Sequence, residues 1–171
     1  DIFLGSGNIF VKILTFLILF PALLFSLTCH EYAHGFAAYT QGDFYAKSMG
    51  RLSLNPFKHL DPLGTLCMLI FGFGWAKPVP IVPSNFKNGR KSMLLVSLAG
   101  VLTNFLLAVI SIFFLDFFQY IIFPAVPWFS TETGAILFLA VHSFLSYFAL
   151  LNIVLSVFNL VPIPPLDGYK V

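Results

Sequence analysis

The sequence predicts an all-α integral membrane protein, a polytopic helical bundle with a short β or re-entrant segment between its first and second spans. Of the 171 residues, 58% are hydrophobic and only 9% are charged, whereas about a quarter of a soluble domain is charged. Three apolar runs are long enough to cross a hydrocarbon core about 30 Å thick. We expect a single membrane-embedded core over residues 1–171, with both termini truncated because the chain starts at Asp1 and stops at Val171.

The first predicted span covers residues 9–41. Its residues up to Leu27 are almost wholly apolar, and Pro21 is expected to kink the helix rather than end it. A cleaved signal peptide is the alternative, but no small-residue cleavage site follows and the helical pattern continues past Tyr39. We therefore predict a helix that stays in the protein.

The connector 42–91 is rich in proline and glycine and contains three kinds of segment. Residues 49–57 alternate enough to predict a strand or two. Residues 62–75 are apolar but too few for a comfortable crossing, which favours a re-entrant segment or half-helix. Residues 76–83 carry three prolines and must be extended, because prolines at this spacing forbid a helix.

The second and third predicted spans cover residues 92–115 and 134–160. Their orientation follows from the basic residues, because cytoplasmic loops are enriched in Lys and Arg. The connector 116–133 has none, and seven of the nine lie between the first two spans: Lys47, Arg51, Lys58, Lys77, Lys87, Arg90 and Lys91. We therefore predict that the first connector faces the cytoplasm and that the third span ends on the same side.

The inner end of the first span contains the sequence "HEYAH", residues 30–34. Positions i and i+4 share a helix face, so His30 and His34 can bind one ion, and Glu31 flanks the same face. The alternative is two histidines satisfied by hydrogen bonds within a bundle. Because unpaired ionisable groups are costly beside a membrane span, the pattern favours a metal site.

Two histidines leave a catalytic zinc ion one protein ligand short, since such sites have three protein ligands and a water molecule. Asp167 follows a third span that is broken by prolines, and the predicted topology brings it to the same leaflet as the histidines. In the alternative interpretation it caps a helix that begins after Pro165. We predict one Zn²⁺ per chain, whose charge Asp167 and Glu31 together balance.

The motif "HEYAH" together with "NLVPIPPLDG", residues 159–168, resembles the site-2 protease family of intramembrane zinc metalloproteases. The family's second motif, N-x-x-P-x-P-x-L-D-G, is matched throughout. "AGVLTN", residues 99–104, looks like its G-x-x-x-N signature, and "GRLSLNPFKHLDPLGT" and "FGWAKPVP" are similar to stretches of small bacterial members. No PDZ-like insert separates the second and third spans, so the chain resembles the compact bacterial branch.

This resemblance implies a three-helix catalytic core with zinc held by His30, His34 and Asp167. Glu31 would act first as general base and then as general acid, which agrees with the chemistry of zinc-activated water. The resemblance also makes Asn104 a candidate donor to the developing oxyanion. The alternative for Asn104 is a small-polar helix contact that it forms with Gly100.

Other polar residues have less specific interpretations. His59 and Asp61 are predicted to make loop hydrogen bonds, with a contribution to the active site as the minority alternative. His142 is expected to be a buried, hydrogen-bonded histidine. Asn152 and Asn159 share a face of the third span, where they either line the same polar cavity or bond across helices.

Residues 76–83 suggest a hypothesis for substrate recognition. A transmembrane helix must unwind before its peptide bonds can be hydrolysed, and an extended segment offers a strand edge on which unwound substrate can lie. We assign Val79 and Ile81 to substrate binding, together with Asn159. The alternative is that this segment is a rigid connector.

Composition bears on partners and redox state. The net charge is only +2, and no basic run is interleaved with aromatic residues, which argues against binding to nucleic acid. Cys29 and Cys67 form no CxxC pair and are predicted to be reduced and packed among apolar groups.

The function predicted from these patterns is an intramembrane zinc endopeptidase. Its partners would be the lipid bilayer and membrane protein substrates with a single transmembrane helix, and it would lie in a bacterial inner membrane with its active site toward the cytoplasm. The alternatives are a zinc or proton transporter and a catalytically silent, zinc-binding membrane scaffold. A transporter is disfavoured because no internal repeat is visible, and a silent scaffold has no use for Glu31.

Overall fold

The structure is a computed structural model that describes residues 8–71, 74–164 and 166–170. Its α-helices are α1 (Ile9–Thr40), α2 (Tyr45–Ser48), α3 (Pro62–Phe71), α4 (Gly89–Phe117), α5 (Phe123–Ala125) and α6 (Glu132–Asn159). Short 3₁₀ turns lie at Pro56–Lys58, Pro83–Asn85, Pro127–Ser130 and Asp167–Lys170, and a π-helical turn at Phe118–Ile122 joins α4 to α5.

Within the residues that the structure describes, three helical stretches are long and apolar enough to cross a membrane: Ile13–Thr40, Gly89–Ala125 and Glu132–Asn159. The predicted all-α membrane fold is confirmed. Helix α1 continues through Pro21, as expected for a proline that neighbouring helices support. Helices α1, α4 and α6 all pack against one another and form the bundle.

Buried polar contacts join the three long helices. The side chain of Asn152 on α6 donates to Ser26 Oγ on α1 at 2.8 Å, and Ser111 Oγ on α4 donates to the carbonyl of Leu145 on α6 at 2.9 Å. Lipid tails are as apolar as leucine, so helix association in a membrane depends on close packing and on such bonds. These contacts fix the rotation of the helices that carry the candidate site.

The connector between α1 and α4 contains no strand among its described residues, so the strands predicted at 49–57 are wrong. Local bonds form turns there instead: Ser53 Oγ accepts from the N–H of Asn55, and Asn55 Oδ1 accepts from the N–H of Phe57. The only strand-like pairing among the described residues is one antiparallel bridge between Leu60 and Ala76.

A half-helix is present in this connector, as the shortness of its apolar run predicts. It is α3, with ten residues, and Asp61 caps it by accepting from the N–H of Gly64 at 2.8 Å. Residues 72 and 73 of the predicted segment lie outside the described residues. Residues 76–82 have no helical turn, in agreement with their prolines.

Candidate metal centre

Three potential ligand atoms converge at the inner ends of α1 and α6. His30 and His34 are one turn apart on α1, and their Nε2 atoms lie 3.0 Å apart. Oδ2 of Asp167 lies 3.0 Å from His30 Nε2 and 2.8 Å from His34 Nε2. All three residues are buried. The structure thus brings together the three residues that the sequence predicts as metal ligands.

The hydrogen bonding of His34 shows which of its nitrogen atoms is free to bind a metal. Its Nδ1 lies 2.7 Å from the carbonyl oxygen of Val96, so Nδ1 carries the proton and donates it. Nε2, which lies 2.8 Å from Oδ2 of Asp167, is therefore the nitrogen that faces the other two ligand atoms and that would bind a metal. A metal ligand whose other nitrogen donates to a backbone carbonyl has the usual outer-shell arrangement.

The spacing of the three atoms also fits one metal ion. Tetrahedral zinc with bonds of about 2.0–2.1 Å separates its ligands by about 3.3 Å. The observed separations of 2.8–3.0 Å are only a few tenths of an ångström shorter. One carboxylate and two imidazoles form a donor set that zinc accepts, and they leave a fourth position open.

Gly100 on α4 lets this helix pass directly against the two imidazoles. A Cβ atom at this position would lie 2.6 Å from His30 Cε1 and 2.8 Å from His30 Nδ1, and closer still to His34 Nε2. Any larger residue would therefore displace both histidines. The close approach also places the carbonyl of Val96, one turn earlier on α4, next to His34.

Asp167 reaches the histidines because the chain turns sharply after α6. Gly168 allows that turn, since a Cβ atom there would collide with the backbone of Leu160 and lie 2.8 Å from the carbonyl oxygen of Val161. Lys170 closes the turn, with Nζ 3.3 Å from Asp167 Oδ1. Asp167 begins a 3₁₀ turn, and its side chain contacts the histidines from there.

Glu31 lies beside the metal ligands on α1 and is half-buried. Its Oε2 accepts a hydrogen bond of 2.8 Å from the backbone N–H of Val79. This contact joins α1 to the extended residues 76–83. Val79 and Ile81 line a cavity of about 200 Å³ together with His34 and Asp167. Two residues that the sequence assigns to substrate binding thus border the same space as two of the metal ligands.

Asn104 and Asn159 are not among the residues that line this cavity. Asn104 is fully buried, and neither atom of its amide has a hydrogen-bond partner among the described residues. Asn159 donates to the carbonyl of Leu155 within α6 at 3.0 Å. Sequence reasoning missed Ser97, a buried residue that does line the cavity one turn before Gly100.

The remaining polar residues make local or interhelical bonds. His59 Nε2 lies 2.7 Å from the carbonyl of Ser53, and Asp61 caps α3, so both are hydrogen-bonded within the connector as predicted. His142 is half-buried, with Nε2 3.2 Å from Gln119 Oε1. Asn152 bonds across helices rather than sharing a polar cavity with Asn159. Both cysteines are free.

Comparison with known proteins shows which family and which relatives the chain is similar to. The model of Peptidase family M50 matches residues 128–171, which include α6 and the Asp167 turn. YwhC of Bacillus subtilis (strain 168) is 45% identical over 149 residues, covering 87% of this chain and 64% of the relative. The chain is thus similar to peptidase family M50. Family M50 is the site-2 protease family, so the resemblance predicted from the motifs is confirmed.

More distant relatives of this chain are the Rip2 proteins of mycobacteria. Rip2 of Mycolicibacterium smegmatis is 30% identical over 159 residues, covering 90% of this chain and 55% of the relative. Rip2 of Mycobacterium tuberculosis (strain H37Rv) is 29% identical over 163 residues, with the same coverage. YwhC and Rip2 are each named "Putative zinc metalloprotease". The chain spans between 55% and 64% of the length of these curated relatives, and no solved structure is significantly similar to it.

Proposed function

We propose that this chain is the catalytic core of an intramembrane zinc endopeptidase. It hydrolyses peptide bonds within or near the transmembrane helices of single-span membrane proteins. The observation that carries the proposal is the convergence of two imidazole nitrogens and one carboxylate oxygen beside Glu31 at one end of a membrane-spanning bundle. The zinc metalloprotease names of its M50 relatives support the same activity.

One zinc ion per chain would be held by His30, His34 and Asp167. When bound, zinc lowers the pKa of its water ligand to about 7 and polarises the scissile carbonyl. Glu31 accepts the proton of the attacking water and later delivers it to the leaving amine. Its Oε2 is occupied by the N–H of Val79, while Oε1 has no hydrogen-bond partner among the described residues and is free for this transfer.

Residues 76–83 are proposed to bind unwound substrate as an added strand. Prolines 78, 80 and 83 have no N–H, and the N–H groups of Val79 and Val82 are bonded to side chains of this chain. Counting bonds to the described residues, the N–H of Ile81 is therefore the one amide of residues 78–83 that is left for a substrate carbonyl. Main-chain hydrogen bonds of this kind would let the site bind an extended substrate segment with little dependence on the side chains of that segment.

The protein is proposed to lie in the bacterial plasma membrane with this site toward the cytoplasm. The basic residues of the connector between α1 and α4 support that orientation. The metal ligands lie at the end of α1 that leads into this connector and just beyond the end of α6. Substrate would therefore be cut near the cytoplasmic leaflet, where its helix end can unwind into water.

The direct experiment incubates the purified protein in detergent or lipid with a panel of single-span peptides. We expect cleavage that stops when a zinc chelator is added and returns when one equivalent of zinc is restored. Mass spectrometry of the products locates the cleaved bond, which should lie within or next to the transmembrane segment. Cleavage that is indifferent to the chelator would contradict the proposal, as would zinc-loaded protein that cleaves no member of a broad panel.

A further inference from the structure

The extended residues 76–82, here called the extended segment, are held by side chains and backbone from several parts of the chain. The guanidinium of Arg51 donates to the carbonyls of Lys77 and Pro78 at 2.8 and 3.2 Å. Glu31 accepts from the N–H of Val79. Three residues later, Asp43 Oδ2 accepts from the N–H of Val82 at 2.7 Å. The segment begins at the bridge between Ala76 and Leu60, and the N–H of Lys77 donates to the carbonyl of His59 at 2.8 Å; beyond that point the side chains above position it.

Asp43 is the least expected of these anchors, because it is a fully buried carboxylate. Besides Val82, it accepts from the side-chain amide of Asn85 at 2.8 Å and from the N–H of Tyr45 at 3.1 Å. Burial raises the pKa of the Asp43 carboxyl, but these three hydrogen bonds outweigh burial and hold its pKa below the ordinary value. The group is therefore ionised at neutral pH, and only an ionised carboxylate accepts several bonds without offering a donor of its own.

Asp43 and Glu31 bracket residues 79–82. Glu31 lies on α1 beside the histidines, and Asp43 lies three residues beyond the end of α1. Both residues therefore fix the position of the extended segment relative to α1, the helix that carries two of the metal ligands. Pro80, between the two bonded amides, further restricts the backbone there.

We propose that Asp43 is a positioning residue for the proteolytic site. It holds the extended segment where the N–H of Val79 orients Glu31 and where the free N–H of Ile81 can receive substrate. This inference rests on the proposed function for the identity of the bound substrate, but the anchoring itself is independent of proteolysis. Arg51 assists from the other end of the segment by fixing the carbonyls of residues 77 and 78.

Asp43→Asn is the informative variant. Asparagine keeps one acceptor oxygen but turns an NH₂ group toward N–H donors, so either the bond from Val82 to Oδ2 or the two bonds from Asn85 and Tyr45 to Oδ1 are replaced by repulsive contacts. Loss of a hydrogen bond to a charged group changes an equilibrium constant by about 10- to 100-fold. We expect amide hydrogen exchange over residues 76–86 to accelerate by about that factor, and KM for a single-span peptide to rise more than kcat falls. Zinc content should stay unchanged.

Asp61→Asn is the matched control, because Asp61 lies in the same connector and accepts a backbone bond, but it caps α3. This control should leave exchange over residues 76–86 unchanged. Asn85→Ala serves as a milder second variant if Asp43→Asn does not fold, since Asn85 is exposed and supplies only one of the three donors. It should shift exchange and KM in the same direction by a smaller factor.

Exchange is measured on zinc-loaded protein without substrate, so the inference can fail separately from the proposed function. Unchanged exchange over residues 76–86 in both Asp43→Asn and Asn85→Ala would overturn it even if the wild-type protein is an active protease. If exchange is faster in the two variants but the wild-type protein cleaves no peptide, the anchoring by Asp43 stands and the proposed function is wrong. Accelerated exchange with KM and kcat both unchanged would show that Asp43 anchors the segment but does not position the site, and would also overturn the inference.

Discussion

The backbone N–H of Val79 donates a hydrogen bond of 2.8 Å to Oε2 of Glu31. Through this bond the residue proposed as general base is in direct contact with the segment proposed to bind substrate. Val79→Pro removes the N–H group and leaves Oε2 without its donor. We expect kcat for a single-span peptide to fall about tenfold or more, because a hydrogen bond to a charged group is typically worth about 1.5–3 kcal/mol. Zinc content, measured by mass spectrometry of the metal, should not change.

Ile81→Pro tests the other side of the same segment. The N–H of Ile81 has no bonding partner in the part of the chain that the structure describes, so its removal leaves Glu31 in place but takes away the amide proposed to pair with substrate. We expect KM to rise while zinc content and exchange at Val79 are unchanged, and the double variant with Val79→Pro to lose cleavage altogether. Unaltered cleavage by the double variant would show that substrate does not use this edge.

Glu31→Gln separates metal binding from proton transfer. Glutamine keeps the size of the side chain and an acceptor for the N–H of Val79, but it cannot take a proton from water. General acid–base catalysis contributes about 10²- to 10⁴-fold, so cleavage should fall by at least that lower factor. Zinc should remain bound at one equivalent. Activity close to wild type would mean that another group is the base.

Gly100→Ala tests the close approach of α4 to the two imidazoles. The added methyl group would overlap the buried imidazoles of His30 and His34, so at least one of them would have to leave its present position. We expect zinc content to fall well below one equivalent while the helical circular dichroism spectrum is retained. Val101→Ala is the control, because Val101 is buried on the same helix and its loss creates a cavity without a clash. Full zinc occupancy in Gly100→Ala would contradict the described packing.

Ser26 and Asn152 provide a test of how the bundle is held together. Their hydrogen bond joins α1 to α6 one turn before His30. A double-mutant cycle with Ser26→Ala and Asn152→Ala should give a coupling energy of about 0.6 kcal/mol, the average for such bonds in membranes. Reversible unfolding in bicelles or mixed micelles measures it. A coupling energy of zero would mean that the bond does not contribute to the packing of these helices.

The three ligands were predictable because hydropathy, helical spacing and the distribution of basic residues can all be determined directly from the sequence. Hydropathy determines where α1, α4 and α6 lie, and the i, i+4 spacing of His30 and His34 places both side chains on one face. Asp167 followed from the positive-inside rule and the proline break after the third span. The structure places all three as those patterns predict.

The supporting contacts were not predictable in the same way. The carbonyl of Val96 accepts from His34, but a backbone carbonyl carries no residue-specific signal. Asp43 meets Val82 across 39 residues of irregular chain, a distance over which periodicity gives no information. The wrong strands at 49–57 had a readable counter-signal: Ser53 and Asn55 favour turns, and Pro56 cannot pair within a sheet.

X-ray absorption at the zinc edge of the wild-type protein and of Asp167→Ala shows whether these three residues hold the metal. We expect one zinc per chain in the wild type, with two imidazole ligands and oxygen neighbours at about 2.0–2.2 Å. Asp167→Ala should bind zinc at least 100-fold more weakly in competition with a chelator. A wild-type spectrum without imidazole scattering, or an Asp167→Ala variant with undiminished zinc affinity, would show that zinc is not held by these three ligands.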